Sequence, residues 1–118
     1  MRTALDRSNA TATLRVDGDL DTTAAPGLRR AVLHLLHREP PRCLILDLTD
    51  VSFLSVRAAL ELAECARAAE RAHGRLLLVS RSPAVLRALS VTGVAPRLTV
   101  YAEHGAAASA ASIAATAE

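Results

Sequence analysis

Residues 43–60 read Cys43-Leu-Ile-Leu-Asp-Leu-Thr-Asp-Val-Ser-Phe-Leu-Ser-Val-Arg-Ala-Ala-Leu60, and this stretch decides the fold. Cys43 to Leu48 is a near-continuous apolar run with β-branched content. Such a run predicts a central strand buried on both faces, as in a parallel sheet. A turn follows, then Phe53-Leu54-Ser55. Ser55 stands where a serine hydroxyl caps a helix, here predicted over Val56 to Ala72. Leu60, Ala63, Arg67 and Glu70 mark its turns, and Gly74 is expected to end it as a left-handed cap.

Upstream, Thr11 to Val16 alternates Ala12, Leu14 and Val16 with Thr11, Thr13 and Arg15, the period of a strand with one wet face. Ser8-Asn9 predicts a hairpin turn back to a short edge strand near Thr3 to Asp6. After Gly-Asp-Leu-Asp at 18–21, Asp21 or Thr22 is the expected cap of a helix whose first turn tolerates Pro26. Leu28, Ala31, Val32, Leu35 and Leu36 recur at helical spacing, and Glu39-Pro40-Pro41 stops the run.

Downstream, Arg75 to Val79 predicts a second buried strand. Ser82-Pro83 predicts an N-cap followed by proline at the first helical position. Val85, Leu86 and Leu89 carry that short helix to Gly93, and Arg97 to Tyr101 predicts the last strand. The Ala-rich stretch from Ala106 to Glu118 suits a final helix. Its one large apolar residue, Ile113, predicts weak docking and fraying.

The order β-β-α-β-α-β-α-β-α predicts an α/β open sandwich. Its mixed, mostly parallel sheet has four or five strands, an N-terminal antiparallel edge and about four helices. The 118 residues form one domain over 1–110 with an Ala-rich tail at 111–118.

Composition removes several functions. All 14 basic residues are Arg, so no lysine chemistry is available: no P-loop lysine, Schiff base or Ser–Lys dyad. Net charge is +2 and dispersed, and aromatics are 2% of residues, so neither a basic stripe nor stacking platforms favour nucleic acid. Cys43 and Cys65 lie in apolar segments and read as buried, reduced thiols. No apolar run approaches the roughly 18 residues of a membrane span, and Met1 to Leu14 has no signal-peptide core. A cytoplasmic location is expected, without direct membrane insertion.

Catalytic motifs are absent as well. There is no G-x-S-x-G elbow, G-x-G-x-x-G or Walker motif. His34 and His37 are spaced i, i+3 without further ligands, so no metal and no cofactor is expected. Asp17, Asp19 and Asp21 would face one way if the strand continued, as a polar surface beside the second helix's N-terminus. The alternative is a loop rich in turn and cap residues.

Three blocks resemble one family. Val16 to Leu28 (V-D-G-D-L-D-T-T-A-A-P-G-L), Leu44 to Leu54 (L-I-L-D-L-T-D-V-S-F-L) and Gly74 to Leu89 with Thr92-Gly93 are similar to motifs of STAS-domain proteins, the anti-sigma-factor antagonists. The resemblance covers roughly residues 3 to 110. It implies a non-enzymatic protein that binds an anti-sigma factor of the Ser/Thr kinase type in a partner-switching circuit controlling transcription. It also implies phosphorylation of a serine or threonine at the start of the second helix, which breaks the complex by adding charge and bulk.

The sequence departs from the family at that switch. Aligned without gaps, Ser55 takes the family's Asp position and Val56 its first hydroxyl position. Arg57 takes the phosphoacceptor position, and Ala58 that of the Gly. Three readings follow: a partner-binding antagonist free of phosphorylation control; a shifted phosphosite at Ser55; or another STAS task. The last would be binding a nucleotide or lipid-like ligand, or serving as a subunit of a membrane transporter. The expected docking face combines Asp19, Asp21, Thr22 and Thr23 with Ser52, Ser55, Val56 and Arg57, and with Arg81, Ser82 and Pro83. Phe53, the one Phe, is expected in the core. A monomer or weak dimer is expected.

Overall fold

Strand and helix periods segregate cleanly along the chain, and the computed structural model, which describes residues 1–116, follows them. The elements are β1 (Arg2–Ser8), β2 (Thr11–Asp17), α1 (Ala25–Arg38), β3 (Cys43–Asp50), α2 (Val56–Arg71), β4 (Arg75–Val79), α3 (Pro83–Val91), β5 (Thr99–Tyr101) and α4 (His104–Thr116). The strands lie in the order β1-β2-β3-β4-β5. β1 and β2 are antiparallel, and β2 through β5 are parallel. This is the expected mixed sheet with four α-helices.

Alternation along β3 sorts the core into two layers. Leu44, Leu46 and Leu48 pack with Leu28, Val32, Leu62 and Leu89 from α1, α2 and α3. Cys43 and Ile45 point the other way and meet Leu77, Val79, Ala107 and Ala111. A strand buried on both faces has no place for alternating polarity, which is why its sequence is a near-continuous apolar run, interrupted at Asp47, whose Oδ1 accepts from Thr49 N at 3.0 Å. The two thiols belong to opposite layers and are both free.

Several details differ from expectation. Asp21 does not cap α1 directly: its Oδ1 accepts from Ala24 N at 2.8 Å, closing a turn ahead of the helix, and Ala24 itself is the side-chain-free N-cap. Gly74 is not the left-handed residue; His73 takes that conformation, with φ 63°. Gly74 is needed for space, because a Cβ there would lie 2.7 Å from Pro41 O. Along α2, Leu60, Arg67 and Glu70 face solvent, while Ala59, Leu62, Ala66 and Ala69 line the sheet side. The last strand is shorter than Arg97–Tyr101, because Pro96 sits in a 3-10 turn over Ala95–Arg97. β1 is longer than expected and exposed throughout, with Asn9 at φ 56° in the hairpin. α4 packs through Ala107 and Ala111, and Ile113 stays 69% exposed. Ala117 and Glu118, the end of the expected tail, lie outside the described residues.

Candidate docking site at the carboxyl edge of the sheet

Parallel strands deliver their βα loops to one edge, and ligands of open α/β sheets gather there. Here the edge is built from the loops after β2, β3 and β4. The first two are stitched together by backbone: Leu20 N donates to Phe53 O at 2.9 Å, and Ser55 N donates to Leu20 O at 2.8 Å. Leu20 and Leu54 form a parallel bridge and are both buried. Ser52 Oγ adds a hydrogen bond to Asp19 Oδ1 at 3.2 Å. The structure thus brings Asp19 and Leu20 against Ser52, Phe53 and Ser55; Asp21, Thr22 and Thr23 continue the first loop toward α1, and Val56 and Arg57 open α2.

The three alternating aspartates do not act as a set. β2 ends at Asp17, and Gly18 turns the chain at φ 106°. Asp17 pairs with Arg2 at 3.2 Å, Asp19 receives Ser52, and Asp21 closes the turn before α1. This is the loop of turn and cap residues, and of the three only Asp19 is held beside the segment that leads into α2.

Ser55 is half-buried, and its Oγ accepts from Ala58 N at 3.1 Å, so it is the N-cap of α2. Phe53 corrects the sequence reading. It is 48% exposed, because the bridge through Leu20 and Leu54 buries its neighbour and turns Phe53 outward. Val56, in the first turn of α2, is 62% exposed. Two large apolar side chains therefore flank the capping serine.

Arg81, Ser82 and Pro83 lie one strand over, after β4. Ser82 Oγ caps α3 by accepting from Val85 N at 3.4 Å. Arg81 pairs with Glu103 at 3.6 Å, so it turns toward the segment before α4 rather than toward Ser55.

Sequence reasoning missed Glu61. It is buried on α2, 3.5 Å from Arg57 Nε one turn earlier and 3.7 Å from Arg29 Nε on α1. The i, i+4 spacing of Arg57 and Glu61 was the available signal; the partner on α1 had none. Burial pushes the Cys65 thiol up to about 12, helped by the negative charge of Glu61, and raises Cys43 as well. Neither thiol is a nucleophile at neutral pH. Among the described residues, no three His, Cys, Asp or Glu side chains gather as a metal site, and no helix is long and apolar enough to cross a membrane.

A model of the STAS domain matches residues 3–107. No match was found among curated proteins. Among solved structures, an anti-sigma factor antagonist from Mycobacterium paratuberculosis is 25% identical, with a TM-score of 0.83 over 93% of this chain and 92% of that one. A single-residue variant of RsbS from Moorella thermoacetica is 17% identical, with a TM-score of 0.83 over 98% and 99%. Murine Solute Carrier 26 family member A9, an anion transporter, is 20% identical, with a TM-score of 0.80 over 92% of this chain and 18% of the transporter. The last two share the fold alone. With the family model spanning both stitched loops and all five strands, the chain belongs to the STAS domain family.

Proposed function

We propose that this domain is a non-enzymatic anti-sigma-factor antagonist that docks on a kinase-type anti-sigma factor in the cytoplasm, as a monomer or weak dimer. The observation that carries this reading is the pair of exposed apolar side chains, Phe53 and Val56, on either side of Ser55 at the amino end of α2. Exposed large apolar groups set in a polar rim mark protein contacts. The likeness to the mycobacterial antagonist supports it. Arg57 occupies the family's phosphoacceptor position, and arginine accepts no phosphoryl group from such a kinase. Binding is therefore free of phosphorylation at that position, and Ser55 acts as a cap.

A pull-down from native extract, with partners identified by mass spectrometry, tests the reading. Capture of a kinase-fold anti-sigma factor that is lost in Val56→Asp supports it. Capture of a transporter subunit, or of no protein, refutes it.

One observation favours a second reading, a ligand-binding or accessory STAS domain. A cavity of about 540 Å³ opens between the β1–β2 hairpin and α4, lined by Asp6, Thr11, Thr13, Ile45 and His104. Its volume suits a small molecule. His104 Nε2 and Thr13 Oγ1 meet across it at 3.2 Å.

A further inference from the structure

We infer that the cleft between α1 and α2 receives an acidic segment of the protein partner. The inference rests on the proposed function only in that its occupant is a protein docking at this end of the molecule. The cleft is about 250 Å³ and is lined by Pro26, Arg29, Arg30 and Leu33 from α1 and by Arg57 and Glu61 from α2. That volume is below the usual range for a small-molecule site and matches one or two inserted side chains.

Charge selects the occupant. Arg29 and Arg57 approach one carboxylate, Glu61, and Arg30 lines the same cleft, leaving a surplus of two positive charges there. Glu61 approaches Arg29 and Arg57 at 3.7 and 3.5 Å from Nε, longer than hydrogen bonds. Among the described residues neither guanidinium has another carboxylate partner, and Arg30 has none. Among the described residues neither guanidinium donates a close hydrogen bond, which leaves donors of each planar fork for a second carboxylate. Glu61 thus spaces and orients Arg29 and Arg57 without neutralising them both. Leu33, 38% exposed, gives the cleft apolar contact.

The neighbouring loops carry the opposite sign, with Asp19, Asp21 and Asp50 exposed. The docking end is therefore bipolar: acidic along the βα loops and basic along the α1–α2 cleft. A partner with an acidic segment binds in one orientation only, because the reversed pose sets like charges together.

The test titrates the isotope-labelled chain with a short helical peptide of Glu and Leu, and with its Lys-for-Glu counterpart, while recording amide and arginine Nε resonances. The expected result is saturable shifts confined to Arg29, Arg30, Leu33, Arg57 and Glu61 for the acidic peptide, and none there for the basic one. Binding should weaken steeply as salt shortens the Debye length from about 10 to about 3 Å. Arg30→Glu, which breaks no ion pair, should lower affinity severalfold, and Arg29→Glu with Arg30→Glu about tenfold or more. Arg87→Glu on α3 should change nothing. Shifts spread over all surface arginines, or unchanged affinity in Arg30→Glu, would overturn the inference. If the anti-sigma factor is captured and lost in Val56→Asp while Arg30→Glu leaves capture and peptide affinity intact, the docking reading stands and this inference fails. If no anti-sigma factor is captured but the acidic peptide maps to the cleft, the inference stands and that reading fails.

Discussion

Replacing Ser55 separates its two candidate roles, cap and phosphorylation switch. Its Oγ accepts from Ala58 N at 3.1 Å, satisfying one of the four unpaired N–H groups at the start of α2. Ser55→Ala removes that acceptor and should cost about 1 kcal/mol. The adjacent Ser55 N to Leu20 O bond is backbone and survives in either variant. For a chain of 118 residues the unfolding entropy is about 0.25 kcal/mol/K, so Tm should fall by about 4 °C. Ser55→Asp keeps a good capping oxygen and places a negative charge at the positive end of the helix. Its stability should stay within about 0.5 kcal/mol of the parent. Thermal and urea melts followed by circular dichroism at the helix band measure both. If Ser55→Ala melts like the parent, or Ser55→Asp falls as far as Ser55→Ala, the capping account is wrong. Partner capture then reads the switch. A capping role leaves Ser55→Asp binding intact, whereas a phosphosite makes that variant lose its partner while remaining folded.

Gly74→Ala puts a Cβ 2.7 Å from Pro41 O and 3.2 Å from Arg42 O, both backbone atoms that cannot swing aside. Overpacking of about 1–3 kcal/mol outweighs the smaller unfolded-state gain, so chemical denaturation should show a net loss of about 1–2 kcal/mol. Phe53→Ala should cost under about 2 kcal/mol in the same assay, against the roughly 3–5 of a core Phe, because half of the ring is already in water; a larger loss would place the ring in the core. The Cys65 thiol has its pKa raised to about 12 in the folded chain, from 9.0. Between those values the unfolded chain has released the proton and the folded chain holds it, so stability falls as pH rises from about 9 toward 12. Urea midpoints of the parent should drop across that window more than those of Cys65→Ala, and an equal drop would contradict the burial.

The order of elements was legible because each carries its own period. The run Cys43 to Leu48 needs two covered faces, and Ser55 and Ser82 cap helices through contacts that reach only three residues along the chain. Those are local facts, and local chemistry determines them without knowledge of the rest of the fold. Sequence composition likewise excluded lysine chemistry, and three motifs in order pointed to the STAS family.

Tertiary structure decided what local chemistry leaves open. Whether Phe53 or Leu54 faces inward depends on the bridge to Leu20, far back along the chain, because one step along an extended chain exchanges the buried and solvent sides. Gly74 reads as a helix cap from its position, yet its reason is the carbonyl of Pro41 across the α1–β3 connection. Glu61 looks like one more exposed glutamate until α1 brings Arg29 beside it. Pairing across elements depends on how two helices pack on one sheet, and no spacing within a single helix encodes it. The sequence by itself determined the elements, their order and the family. Only packing determined which side chains face a partner.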